Sequence, residues 1–206
     1  MKKINIFVFL FLLIFGFTFA KEEFGYPYYP VSDKQLSQFI NKDYKKFRGI
    51  NEEGKIVSIQ DIVDGKPSVL IFFAIGDKPG TFDFLPHMNS LYEKYKGKVE
   101  FAAVLLSRSN KEEVKELKKM LPLKIPVLLG FNEAISQYKI TKLDVPYLVF
   151  IDKNGKVKHI ILRPESEMIK ESPKVDHTDY KDKTQSERIN ASMKIIEKYI
   201  EEISGE

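Results

Sequence analysis

Three histidines, His87, His159 and His177, are the side chains of this 206-residue chain best suited to proton transfer or metal ligation near neutral pH. His177 stands in the run Asp176-His177-Thr178-Asp179-Tyr180 with Asp182, which offers oxygen and nitrogen ligands suited to a divalent cation. The same run also reads as a solvated acidic loop. His87 and His159 have no ligand-spaced companion. Lys78-Pro79-Gly80-Thr81 stands where a helix is expected to begin, an end that favours anions, so Lys78 could help hold an anionic ligand there. Thr81 or Asp77 could equally serve as the cap of that helix. No Gly-rich phosphate loop, zinc-ligand spacing or nucleophile elbow occurs. The chain contains no cysteine. A thiolate is the nucleophile of thiol–disulfide exchange, so the composition excludes that chemistry, and no cofactor is expected.

The ends and the composition bound the setting. Met1-Lys2-Lys3, the apolar run from Ile6 to Phe17 and the small residues around Thr18-Phe19-Ala20 form the three regions of a secretory signal peptide. The apolar run is short beside the roughly 20 residues that span a bilayer. Residues 1–20 are therefore expected to be cleaved after Ala20, with an uncleaved N-terminal anchor as the alternative. An exported chain, periplasmic or extracellular, meets a compartment that permits disulfides, and this one uses none. The net charge of +4 falls to +2 once Lys2 and Lys3 are removed. That balance argues against nucleic acid, and against a membrane surface after cleavage, as partners.

Hydrophobic periodicity lays out the elements that would position any site. Phe24-Gly25-Tyr26-Pro27-Tyr28-Tyr29-Pro30 is too rich in proline for helix or strand. It predicts an extended arm whose tyrosines pack on the domain or meet a partner. Ser32 with Gln35 forms a capping box for a helix over 33–40. Glu53-Gly54 is a turn. Val69–Phe73 and Val99–Leu106 are continuous apolar runs, the pattern of strands buried on both faces. Met88, Leu91, Tyr92 and Tyr95 recur at helical spacing, as do Val114, Leu117 and Met120 after Asn110. A short helix is predicted over 133–138. Tyr147–Ile151 and Val157–Leu162 flank the hairpin turn at Asn154-Gly155. Residues 163–183 are charged and predict an exposed linker or loop. Thr184 with Glu187 caps a final helix with an apolar stripe at Ile189, Met193, Ile196 and Ile200. That stripe suits packing on the sheet or, alternatively, a partner interface. The order predicts an α/β fold, a mixed sheet sandwiched by helices.

Glu53–Asp61, Gly65-Lys66-Pro67 leading into the apolar strand, Leu85-Pro86 with Leu91-Tyr92 to Tyr95, and Val145-Pro146-Tyr147 followed by Phe150–Gly155 stand in a telling order. Together they resemble the TlpA/ResA-like branch of the thioredoxin superfamily, thiol-disulfide oxidoreductases related to the AhpC/TSA proteins. The resemblance covers residues 49–162. It implies a cis-proline at Pro146 and a redox loop at Lys78, Pro79, Gly80 and Thr81, with Lys78 and Thr81 in place of the family's two cysteines. Alignment to bacterioferritin-comigratory-type peroxiredoxins also puts Thr81 where a thiol belongs, and a threonine hydroxyl is too weak an acid to replace it. Copper-delivering SCO proteins need two cysteines and a late histidine, which Leu143-Asp144 does not supply.

The resulting expectation has five parts: a signal peptide over 1–20, an N-terminal arm and short helix over 21–48, a thioredoxin-like domain over 49–162, a charged linker over 163–183 and a C-terminal helix over 184–206. The resemblance implies that an extended segment pairs with the backbone before the cis-proline. Val145, Pro146 and Tyr147 would form that edge, with Ile75, Phe82 and Phe84 as apolar surface. The function expected is non-catalytic binding of an envelope protein or extended peptide, by family analogy an accessory to thiol-redox or cytochrome-maturation machinery. The alternatives are an oxidoreductase by homology and a metal- or anion-binding protein.

Overall fold

The computed structural model describes residues 30–74, 79–106, 111–130, 132–173 and 178–205. The expected signal peptide and residues 21–29 of the arm lie outside the described residues, as do Ile75, Lys78, Asp176 and His177. Helix α1 (Asp33–Ser37) starts at the predicted capping box, with Ser32 and Gln35 each accepting from the other's end of the turn. Strands β1 (Arg48–Ile50) and β2 (Ile56–Ser58) form the opening hairpin, with Gly54 supplying the positive φ of its turn. Helix α2 (Ile59–Val63) leads to β3 (Ser68–Phe73), all of whose residues are buried.

After β3 the chain forms α3 (Pro79–Phe84), one 3-10 turn over Leu85–His87, and α4 (Met88–Tyr95). The single helix expected here is interrupted at Pro86, which lacks an N–H and crowds the preceding turn. Then follow β4 (Glu100–Leu105), α5 (Lys111–Met120), β5 (Val127–Gly130), α6 (Asn132–Tyr138), β6 (Tyr147–Ile151) and β7 (Val157–Leu162). Residues 163–183, expected to be an exposed linker, instead carry β8 (Met168–Ser172) and β9 (Thr178–Asp179). Helix α7 (Gln185–Ser204) ends the described chain and opens with the Thr184/Glu187 capping box.

The sheet order is β2-β1-β5-β4-β3-β6-β7-β8-β9. β3, β4 and β5 are mutually parallel, β6, β7 and β8 add antiparallel to one side, and the β1–β2 hairpin closes the other. Alternation along β3 divides the core. Val69, Ile71 and Phe73 face α4, α5 and α7, where Met88, Leu91, Val114, Leu117, Ile196 and Ile200 are buried. Leu70, Phe72 and Ala74 face α1, α2 and α6, where Leu36, Ile59, Val63, Ile135 and Tyr138 are buried. Met120, expected on the apolar stripe of α5, is 69% exposed because α5 ends there and the chain turns away.

β8 is legible only through its partners. Ile169 is buried in the core, and Glu171 accepts a hydrogen bond from the Tyr199 hydroxyl of α7. Tyr199 in turn lies flat on the His159 ring of β7, with centroids 3.7 Å apart and planes 3° from parallel. Phe150 of β6 meets Tyr199 edge-on at 5.5 Å. His159 Nε2 sits 2.9 Å from Glu202 Oε2 without the alignment of a hydrogen bond. The C-terminal helix is thus docked on three consecutive strands, and its stripe is a core surface.

Two outcomes follow from this docking. Ile196→Ala should cost about 2–5 kcal/mol in urea unfolding, because the side chain is fully buried between α7 and the sheet. Burial holds the His159 ring below its ordinary value of 6.5, with Lys158 adding to that and Glu202 and Glu171 opposing it. The unfolded chain therefore takes the proton more readily, so this contribution to stability is present above pH 6.5 and is lost as pH falls below it. His159→Phe, which keeps the stack, should flatten that part of the stability–pH curve. An unchanged curve would assign the acid sensitivity elsewhere.

Candidate functional site

The end of the sheet where β3 runs out and β6 begins carries the segment 141–146. Thr141 begins a tight turn: the Asp144 N–H donates to the Thr141 carbonyl at 3.1 Å, and the Thr141 hydroxyl donates to Asp144 Oδ2. The Asp144 carboxylate is fully buried. Its Oδ2 also accepts from the Val31 N–H at 2.7 Å, across 113 residues of sequence. Its Oδ1 has no partner among the described residues. Val31 is held from the other side as well: Lys170 Nζ of β8 donates to its carbonyl at 2.5 Å and pairs with Asp33 at 2.8 Å. One carboxylate and one ammonium thereby join the base of the N-terminal arm to the 141–146 turn and to β8.

Val145 follows Asp144, and the Val145–Pro146 peptide bond is cis. The Pro146 carbonyl accepts from the Arg163 N–H at 2.9 Å, extending the β6–β7 ladder by one step. Val145 is 4% exposed, yet among the described residues neither its N–H nor its carbonyl hydrogen-bonds another backbone group. Such a group is normally paired when buried.

The residues expected to line this edge divide. Phe82 is half-buried and packs on the core rim. Phe84 and Tyr147 are fully buried and are not surface. Phe84 belongs to the face under α4, where the turn at Leu85 and Pro86 directs it inward. Tyr147 belongs to the opposite face, against Phe72 and Tyr138, and its hydroxyl donates to the Tyr138 carbonyl at 3.2 Å. Burial pushes that hydroxyl well above its ordinary value of 10.0, so it stays protonated. Pro79, Gly80 and Thr81 are in the first turns of α3, and Ile75 and Lys78 lie outside the described residues.

Asp179 is in β9, opposite Met168, and Asp182 is exposed in the turn before α7. Asp176 and His177 lie outside the described residues, and His87 is exposed at the end of the 3-10 turn. Among the described residues no group of three or more histidines and carboxylates could hold a metal ion. What sequence reasoning missed is Asp144 itself: a single Asp before Val145 gives no signal that its partners are Thr141 and Val31.

Comparisons with known proteins agree with this fold. The model of the AhpC/TSA family matches residues 40–160. The thiol-disulfide oxidoreductase ResA of Bacillus cereus is 33% identical over 132 residues, covering 64% of this chain and 73% of that protein. The ResA of Bacillus anthracis matches with the same identity and coverage. Among solved structures, a candidate protein disulfide isomerase from Bacteroides thetaiotaomicron superposes with a TM-score of 0.59 at 16% identity, over 81% of this chain and 91% of that one. The thioredoxin domain of a thiol-disulfide oxidoreductase from Bacteroides vulgatus gives 0.51 at 20% identity, over 58% of this chain and 85% of that one. These likenesses show the fold. With the family model spanning more than half of its length, this cysteine-free chain belongs to the AhpC/TSA family and, within the thioredoxin superfamily, to the TlpA/ResA-like branch.

Proposed function

We propose that this protein is an exported, redox-inactive binding module that takes an extended peptide or protein segment at the Val145 edge. The observation that carries the reading is the pair of backbone groups on Val145, buried beside Pro146 and unengaged among the described residues, in a chain with no cysteine. Strand addition needs an N–H and a carbonyl presented together by one residue, and it needs no thiol. Two backbone hydrogen bonds contribute about 0.5–1.5 kcal/mol each in net terms. Selectivity must then come from side chains near Phe82 and the start of α3.

Export is supported by the charged, apolar and small-residue pattern of residues 1–20. Among the described residues no helix is long and apolar enough to cross a membrane. The partner is an envelope protein or an extended peptide, and its machinery is that of the thiol-redox relatives by analogy alone.

Insulin reduction by the purified chain should not exceed background. Turnover above background would restore the oxidoreductase reading. In-cell cross-linking followed by mass spectrometry tests the edge directly. The parent should capture a partner that a folded variant carrying Val145→Gly and Pro146→Ala loses. Equal capture by both chains would remove the edge from the binding site.

A further inference from the structure

We propose that the segment taken at the Val145 edge is acidic, and that Arg163 is the residue that reads its carboxylate. The proposal rests on reading Val145 as a docking edge and adds a charge preference to the selectivity assigned there. The ladder itself places Arg163 beside that edge. Its N–H donates to the Pro146 carbonyl at 2.9 Å, one step beyond the Tyr147–Leu162 pair. Residues so opposed lie about 5 Å apart, and long side chains reach past the directly opposed residue. A carboxylate docked on Val145 is therefore within range of a guanidinium rooted at position 163.

Arg163 is also a strained choice for that position. Its φ is 52°, in the left-handed region that glycine enters freely and a residue with a Cβ does not. Pro164 follows it, and a residue before proline is pushed toward extended backbone, so the site disfavours arginine twice. Such a conformation persists only where the surroundings fix it. Here they do. The Ser166 N–H donates to the Arg163 carbonyl at 3.0 Å, and two side chains of α7 hold the next two carbonyls. The Ser192 hydroxyl donates to that of Pro164, and Arg188 Nε donates to that of Glu165 at 3.2 Å. Glycine would meet the backbone requirement with less strain, so what arginine adds is its side chain. That side chain is half-buried and carries a planar fork of donors matched to a carboxylate. The carboxylate of the neighbouring turn, Asp144, faces Thr141 and Val31 instead.

NMR titration and urea unfolding test this together on the chain beginning at Lys21. The probes are three acetylated pentapeptides that alternate threonine and valine around a central glutamate, glutamine or lysine, each followed at the Val145 amide. The parent should bind the glutamate peptide on the order of tenfold more tightly than the glutamine peptide, and the lysine peptide least. Added salt should shrink that preference. Arg163→Gln, which keeps most of the stem, should abolish it. Arg163→Gly should abolish it as well and raise the urea midpoint, because the strain leaves with the Cβ. A preference unchanged in Arg163→Gln overturns the proposal and assigns the guanidinium to a contact within the fold. Equal binding of the three peptides by the parent overturns it too, and in both cases the docking edge stands. A lowered midpoint for Arg163→Gly removes the strain and with it the assignment. A Val145 amide that no peptide shifts removes the docking edge itself and the proposal with it.

Discussion

Every layer of this molecule answers to a single condition, that β3 has no side to give to water. Its six residues are buried, with β4 hydrogen-bonded along one edge and β6 along the other. A strand so placed needs a covering layer on each face. α4, α5 and α7 supply one, and α1, α2 and α6 supply the other. None of this requires a thiol, which is how the fold of an oxidoreductase family persists in a chain whose composition forbids the family's reaction.

The site end is assembled from segments far apart in sequence. Asp144 ties the turn before β6 to Val31, and Lys170 ties Val31 to β8. Arg163 holds the Pro146 carbonyl, while α7 holds β8 through Tyr199 and Glu171. The strand added beyond β7 is therefore connected to the turn before β6 through Val31. The C-terminal helix stands behind that connection, since its Tyr199 is packed on His159 and Phe150.

What was legible in the sequence follows from the range of the forces involved. β3 and β4 announce themselves by unbroken apolar runs, and the boxes at Ser32 and Thr184 by residues three apart. β8 does not, because Lys170 and Glu171 look solvent-exposed until Val31, Asp33 and Tyr199 are placed around them. Phe84 and Tyr147 lie beside the expected edge in sequence, but their side chains point into opposite cores. Asp144 was visible only as a residue that was not a histidine. The family was legible because it rests on the order of several local motifs, which survive the loss of the cysteines between them.

The two flanks of the sheet have a consequence for how the protein behaves when concentrated. β2, at one flank, is three residues long, and β9, at the other, is two. Neither offers the long row of unpaired amides that templates the growth of a sheet from one molecule to the next. Ile56 on β2 is exposed, but a strand so short gives a neighbouring chain little to register against. A molecule whose sheet is broad in its middle and stunted at its margins is protected against edge-to-edge aggregation by its outline, independently of any cross-link.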